Sequence, residues 1–319
     1  MSKEKHEEVK VVPRIRRTVI SISKLRLAAQ FVSFFLLNAV IFGLGPWPLL
    51  LPILGTLGVP IKTVGEALGS LQWMLYQLVF PWMALASIFL VSALLGRALC
   101  AWVCPFGFVQ DLLVYVKRKH MQVSLRTHKW MINIKYFVLT IVLFISGTIF
   151  MSLAMGVGQG YKTSLGAFGP APFNALSPAD TLFAVLPRLV LNVRYILPQL
   201  PGKTADITGM ILSGPLLLWV RLIIMGIIIV AAVQVPRSWC RYLCPQGAFM
   251  ALLYRFSFLG LKRNPLKCTR ASCRACVEVC PMKVPILDLP WEKFTHPECI
   301  YCLKCVEACS TEAIRPKFP

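Results

Sequence analysis

Residues 268–281 read CTRASCRACVEVCP, and residues 299–309 read CIYCLKCVEAC. The first run is C-x4-C-x2-C-x3-C-P and the second C-x2-C-x2-C-x3-C. Cys268, Cys273, Cys276 and Cys280, then Cys299, Cys302, Cys305 and Cys309, thus form two sets of four. Such spacings hold cubane iron–sulfur clusters. Three thiolates on one short loop cap three irons of a cube. The fourth comes from a distance, because the tight loop cannot reach round. Zinc knuckles and disulfides are the alternatives, but zinc sites pair two short Cys pairs rather than two runs of four. Two [4Fe–4S] clusters are the expectation for this tail.

Outward from the tail, the chain stops looking like a free ferredoxin. Its 319 residues are 57% hydrophobic and 15% charged, with a mean hydropathy of +0.68. Soluble domains lie nearer about 45–50% apolar and about 25% charged. The expectation is an integral membrane protein in contact with the lipid bilayer. The 12 cysteines fall in three groups with none left over, which favours ligation in a reducing compartment over a secreted disulfide scaffold. The net charge of +21 does not indicate nucleic acid, because the basic residues flank hydrophobic runs as they do on one side of a membrane. An acidic redox partner is a secondary reading of the same charge. With no Ser-His-Asp set, phosphate loop or Rossmann fingerprint, electron transfer fits better than substrate chemistry.

The expected organisation is a basic cytoplasmic tail (1–26), a membrane domain (27–263) and a ferredoxin-type domain (264–319). Spans are expected at 27–44, 72–96 with a kink at Pro81, 131–155 and 213–235, each near the roughly 20 residues that cross a bilayer core. The Gly/Pro-rich stretch 43–60 reads as re-entrant or interfacial, and 182–200 as interfacial because of Pro187, Arg188, Arg194 and Pro198. Lys/Arg bias puts both termini and the 97–130 loop in the cytoplasm of a cell with a cytoplasmic membrane. Arg221 lies inside the fourth span and either functions there or snorkels. Gln72 and Gln77 each have the chemistry to bond a quinone carbonyl or a neighbouring helix. None of the histidines (His6, His120, His128, His296) lies in a span, which argues against a bis-His haem in the bundle.

A second motif occurs twice: RALCAWVCPFG at 97–107 and RSWCRYLCPQG at 237–247. Arg, both Cys, Pro and Gly coincide, and Trp102 matches Tyr242. Each copy follows a hydrophobic run, so the membrane part reads as two copies of one unit. If C-x3-C-P were helical throughout, both sulfurs would share a face, but proline inside a helix is costly. The preferred picture starts a new helix at Pro105 and Pro245, placing Cys104 and Cys244 at helix N-termini. Together Cys100, Cys104, Cys240 and Cys244 make a four-thiolate site for a third iron–sulfur cluster, a single iron, a zinc ion or two redox-active dithiols.

The tail resembles bacterial two-cluster ferredoxins. That resemblance implies that the fourth Cys of each run ligates the other cluster: Cys268, Cys273, Cys276 and Cys309 around one, and Cys299, Cys302, Cys305 and Cys280 around the other. Two features depart from the pattern, the four residues between Cys268 and Cys273 and Ser310 in place of proline. From about residue 30 onward the chain resembles the NapH-like family, the membrane subunits of quinol dehydrogenases, with the polyferredoxin-like NosR and CcoG types as wider relatives. The resemblance implies an internally duplicated all-α bundle of about four transmembrane helices with a C-terminal α+β ferredoxin module. It also implies cytoplasmic clusters, exchange with quinone or quinol, and other redox subunits as partners. Two other roles stay open: a maturation or regulatory protein supplying electrons for metal-centre assembly, and a membrane anchor relaying electrons for a soluble oxidoreductase.

Overall fold

The computed structural model describes residues 21–37, 67–117, 120–121, 123–165, 168, 172, 176–187, 216–269 and 273–318. Most of the basic tail, the end of the first expected span (38–44), the 43–60 stretch and residues 188–200 lie outside them.

Among the described residues three helices precede the first motif: α1 (Ile22–Leu37), α2 (Ala67–Tyr76) and α3 (Trp82–Leu95). The expected single span at 72–96 is therefore two helices. Leu78 takes a left-handed backbone (φ 58°) and Pro81 stands at the N-cap of α3, so the chain turns where a mere kink was expected. With 14 residues, α3 is shorter than the roughly 20 that cross a bilayer core. The first motif then forms α4 (Ala98–Trp102) and α5 (Pro105–Leu113).

Helices precede the second motif as well. Helix α6 (Leu125–Ala154) starts ahead of the expected 131, because the Ser124 hydroxyl accepts the Thr127 N–H at 3.3 Å and caps it. After the short α7 (Gln159–Leu165) and a helical segment around Pro178–Asp180 comes α8 (Leu216–Gln234). The second motif follows as α9 (Ser238–Tyr242) and α10 (Pro245–Leu252). Among the described residues, α6 and α8 are long and apolar enough to cross a membrane. Both leave large apolar side chains exposed, among them Phe137 and Phe144 on α6 and Ile223, Ile227 and Val230 on α8. A lipid-facing surface requires this; a water-facing one disfavours it.

Packing interlocks the halves. Helix α5 lies against α1 and α8, whereas α10 lies against α6 and α3. Each helix that follows a motif thus touches the first long helix of its own half and the last helix before the motif of the other. This brings the two motifs side by side.

The tail module is a two-stranded antiparallel sheet, β1 (Gly260–Arg263) with β2 (Ile314–Lys317), in the register Leu261↔Pro316 and Arg263↔Ile314. Its first strand precedes the expected boundary at 264; GLKR reads as a basic membrane flank, yet Leu261 and Arg263 are both buried. Two one-turn helices, α11 (Ala275–Glu278) and α12 (Lys304–Glu307), each carry the third Cys of a run. Leu261, Met282, Ile286, Phe294, Ile300 and Ile314 form the core around the cysteines.

Candidate metal centres

In both copies of the repeated motif the first Cys sits in a short helix that ends within the motif, at Val103 or Leu243. The second Cys has an extended backbone and caps the next helix, with Pro at its first position. The Cys244 sulfur accepts the Gly247 N–H at 3.4 Å. The geometry expected from Pro105 and Pro245 is therefore present, and N–H groups at a helix start favour negative charge on sulfur.

Cys100, Cys104 and Cys240 lie within electrostatic range of one another, and Arg97 lies within range of Cys100, Cys240 and Cys244. Burial, with Cys240 and Cys100 nearby, pushes the Cys104 thiol up to about 12. Thiolates here need positive charge, and two arginines bring some of it. Gln110 also donates to the Cys240 sulfur at 3.2 Å.

The arginines cross over. Arg237 of the second motif donates Nη1 to the Cys100 carbonyl of the first at 2.7 Å. Arg97 of the first donates Nη2 to the Cys240 carbonyl of the second at 3.3 Å. The motif glycines make room for this. A Cβ on Gly107 would lie 2.8 Å from the Cys100 carbonyl oxygen and 3.3 Å from the Arg237 guanidinium; one on Gly247 would lie 2.9 Å from that of Arg97. Every shared residue of R-x2-C-x3-C-P-x-G thereby has a physical role: two thiols, a helix start, a crossing cation and the space for it.

Each arginine continues to a buried carboxylate. Arg237 grips Asp111, with Nε 2.9 Å from Oδ1 and Nη2 on Oδ2. Arg26 of α1 bonds the same carboxylate at 2.9 Å. Arg97 reaches Glu298 at 3.2 Å and the Pro297 carbonyl at 2.8 Å, while Lys135 of α6 also bonds Glu298. Burial works against both carboxylates, yet Arg237 with Arg26, and Arg97 with Lys135, hold them below the usual range. Asp111, Glu298, Lys135 and Gln110 escaped the sequence reading. The available signal was an acid in a basic apolar stretch, and one directly beside Cys299.

In the tail, Cys276 lies within electrostatic range of Cys268, Cys273 and Cys309. An apolar cavity is lined by Cys280, Cys299, Cys302 and Cys305 together. These are the two sets that the ferredoxin resemblance implies. Cys280 and Cys309 match in detail: each sulfur accepts the N–H four residues on, from Val284 at 3.4 Å and Ala313 at 3.3 Å. Lys283 and Glu312, three residues after each, are both left-handed. Cys305 is within range of Cys276, so the two sets adjoin. Among the described residues no three His, Cys, Asp or Glu converge as ligands of one metal ion would. A cubane needs a wider set, since each thiolate binds a different iron. The donor chemistry and the cavity fit iron–sulfur clusters.

The other singled-out residues have local partners or none. Arg221 pairs with Asp180 at 3.6 Å. His128 meets Tyr242 at 3.0 Å, His120 the Val233 carbonyl at 3.2 Å, and His296 accepts the Glu298 N–H at 3.1 Å. Gln77 is exposed. Gln72 is buried, with neither amide atom hydrogen-bonded among the described residues.

The family model described as a 4Fe-4S binding domain matches residues 78–122 and 217–264. Each matched segment contains one copy of the repeated motif, so the class is that of a 4Fe–4S-binding protein. The chain is 27% identical over 236 residues to an uncharacterized protein of Methanocaldococcus jannaschii, covering 72% of this chain and 76% of that one. It is 24% identical over 266 residues to the putative electron transport protein YccM of Escherichia coli, covering 81% of this chain and 60% of YccM. It is 28% identical over 148 residues to the ferredoxin-type protein NapH of Escherichia coli, covering 40% of this chain and 50% of NapH. No solved structure matches. The chain is thus similar to ferredoxin-type and electron-transport proteins, NapH and YccM among them.

Proposed function

We propose that the protein is a multi-pass electron-transfer subunit of the cytoplasmic membrane with three iron–sulfur centres. Two are [4Fe–4S] clusters in the tail, on Cys268, Cys273, Cys276 and Cys309 and on Cys280, Cys299, Cys302 and Cys305. The third is held by Cys100, Cys104, Cys240 and Cys244 where the spans meet the cytoplasm. Electrons pass between the quinone pool and a redox partner. The carrying observation is that all 12 cysteines gather into three sets of four on adjoining parts of the chain. The family match over both repeated motifs supports iron–sulfur ligation there, and the crosswise packing of the halves supports an internal duplication.

Bound clusters supply one-electron chemistry. The chain's own residues hold them with thiolates, direct N–H groups at the sulfurs and wall them off with apolar side chains. Support for a lipid-soluble donor comes from an apolar cavity between α6 and α8 that reaches Trp239 and Leu243, neighbours of Cys240 and Cys244. The amide of Gln72, without a hydrogen-bond partner among the described residues, is a second candidate contact. Lys/Arg bias supports cytoplasmic termini.

Iron and sulfide per chain with low-temperature EPR test the reading. About twelve irons, four to each cubane, are expected; about eight would remove the third cubane. Oxidation of the reduced protein by a quinone analogue on a turnover timescale tests the quinone link, and no exchange would end it.

A further inference from the structure

Arg97 stands where two of the thiol sets come nearest to sharing a residue. It is 2% exposed and spends its guanidinium on three acceptors. One is the Cys240 carbonyl of the boundary set. The other two, the Pro297 carbonyl and the Glu298 carboxylate, stand immediately before Cys299. Electrostatically it faces Cys100, Cys240 and Cys244 on one side and Cys299 on the other. Among the described residues, the carboxylate of Glu298 and the cation of Lys135 stand around it, with His296 and Tyr136 within electrostatic range. Gly247 leaves the space that it fills. Cys276, by contrast, is surrounded by Cys268, Cys273 and Cys309.

We propose that Arg97 is a positioning residue shared by two iron–sulfur sites, fixing the Cys240 backbone against the backbone entering Cys299 and placing one positive charge between the two sets. This rests on the reading that the boundary thiolates hold iron. A cation at that place stabilises the more negative, reduced state of both sites. It leaves the Cys268, Cys273, Cys276 and Cys309 set untouched.

The test uses the purified full-length holoprotein and redox titration followed by EPR, with iron counted in every variant. Arg97→Gln is expected to keep its iron and to shift two of three signals to lower potential, by tenfold or more in each reduction equilibrium. That is about 59 mV for a one-electron couple. Arg97→Lys, which keeps the charge, restores most of the shift. Glu298→Gln removes the counter-charge and moves the same two signals the opposite way; it also decides the matter if Arg97→Gln fails to accumulate. Unchanged potentials, equal shifts in all three signals, or iron loss that Lys does not rescue would overturn the proposal. About eight irons in the unaltered protein would refute the boundary centre and the sharing with it. The Cys299 signal would still report whether Arg97 acts on the tail.

Discussion

The two copies of the repeated motif use the same residues to hold different things. In the second copy Arg237 closes on Asp111, seven residues past Cys104 in the first half, and Tyr242 meets His128 near the start of α6. Both partners belong to the helical part. In the first copy Arg97 closes on Glu298, and Trp102 at the matching position donates to the Tyr301 carbonyl at 3.0 Å. Both partners belong to the tail. One copy therefore locks the helices to each other and the other docks the ferredoxin module on them. The two copies share their thiol geometry and differ in their outward contacts.

The difference is open to breakage, and the largest effect falls on the inward-locking copy. Asp111→Ala leaves Arg26 and Arg237 buried without their counter-charge, which costs about 3–5 kcal/mol. The expected outcome is a much lower thermal transition with loss of boundary iron. Gly107→Ala comes next. Its Cβ would meet the fixed Cys100 carbonyl, so an overpacking cost of about 1–3 kcal/mol outweighs the helix-propensity gain of about 1 kcal/mol. Gly247→Ala meets the end of the Arg97 side chain at 2.9 Å rather than backbone, and its effect in the same melt is smaller.

Acid sharpens the contrast at the docking copy. Glu298 has a folded value below its unfolded one. Its contribution is complete above the ordinary carboxylate value, about 4.3, and is lost as pH falls through the depressed folded value. Hydrogen-exchange protection at the tail's contact with α4 should stay flat from about pH 7 to about pH 5 and fall only in stronger acid. Protection that falls already near neutrality would assign docking to some other group. The smallest effect is at Trp102→Phe, which removes one hydrogen bond worth about 1 kcal/mol; a modest rise in tail cleavage by protease, with helical stability unchanged, would register it.

The two tail runs stood out in the sequence because cysteine spacing is itself geometry, whereas which fourth Cys joins which run came only from the ferredoxin resemblance. The helix starts at Pro105 and Pro245 were legible too, since proline admits few alternatives. The clasps were not. Asp111, Lys135 and Glu298 are lone charges whose partners lie far along the chain, and no local period marks them. Pro81 was visible, but whether it bends a helix or ends one depended on Leu78 turning left-handed. Gly260–Arg263 fell on the membrane side of the expected boundary at 264, because only pairing with Ile314–Lys317 makes it a strand.

The span between Arg97 and Glu298 has a consequence for how the protein is made. The two partners are 201 residues apart, so the arginine leaves the ribosome long before its carboxylate exists. Domains made first fold first, but Arg97 cannot meet this carboxylate until residue 298 has been translated. A chain stopped short of residue 298 leaves Arg97 without this partner.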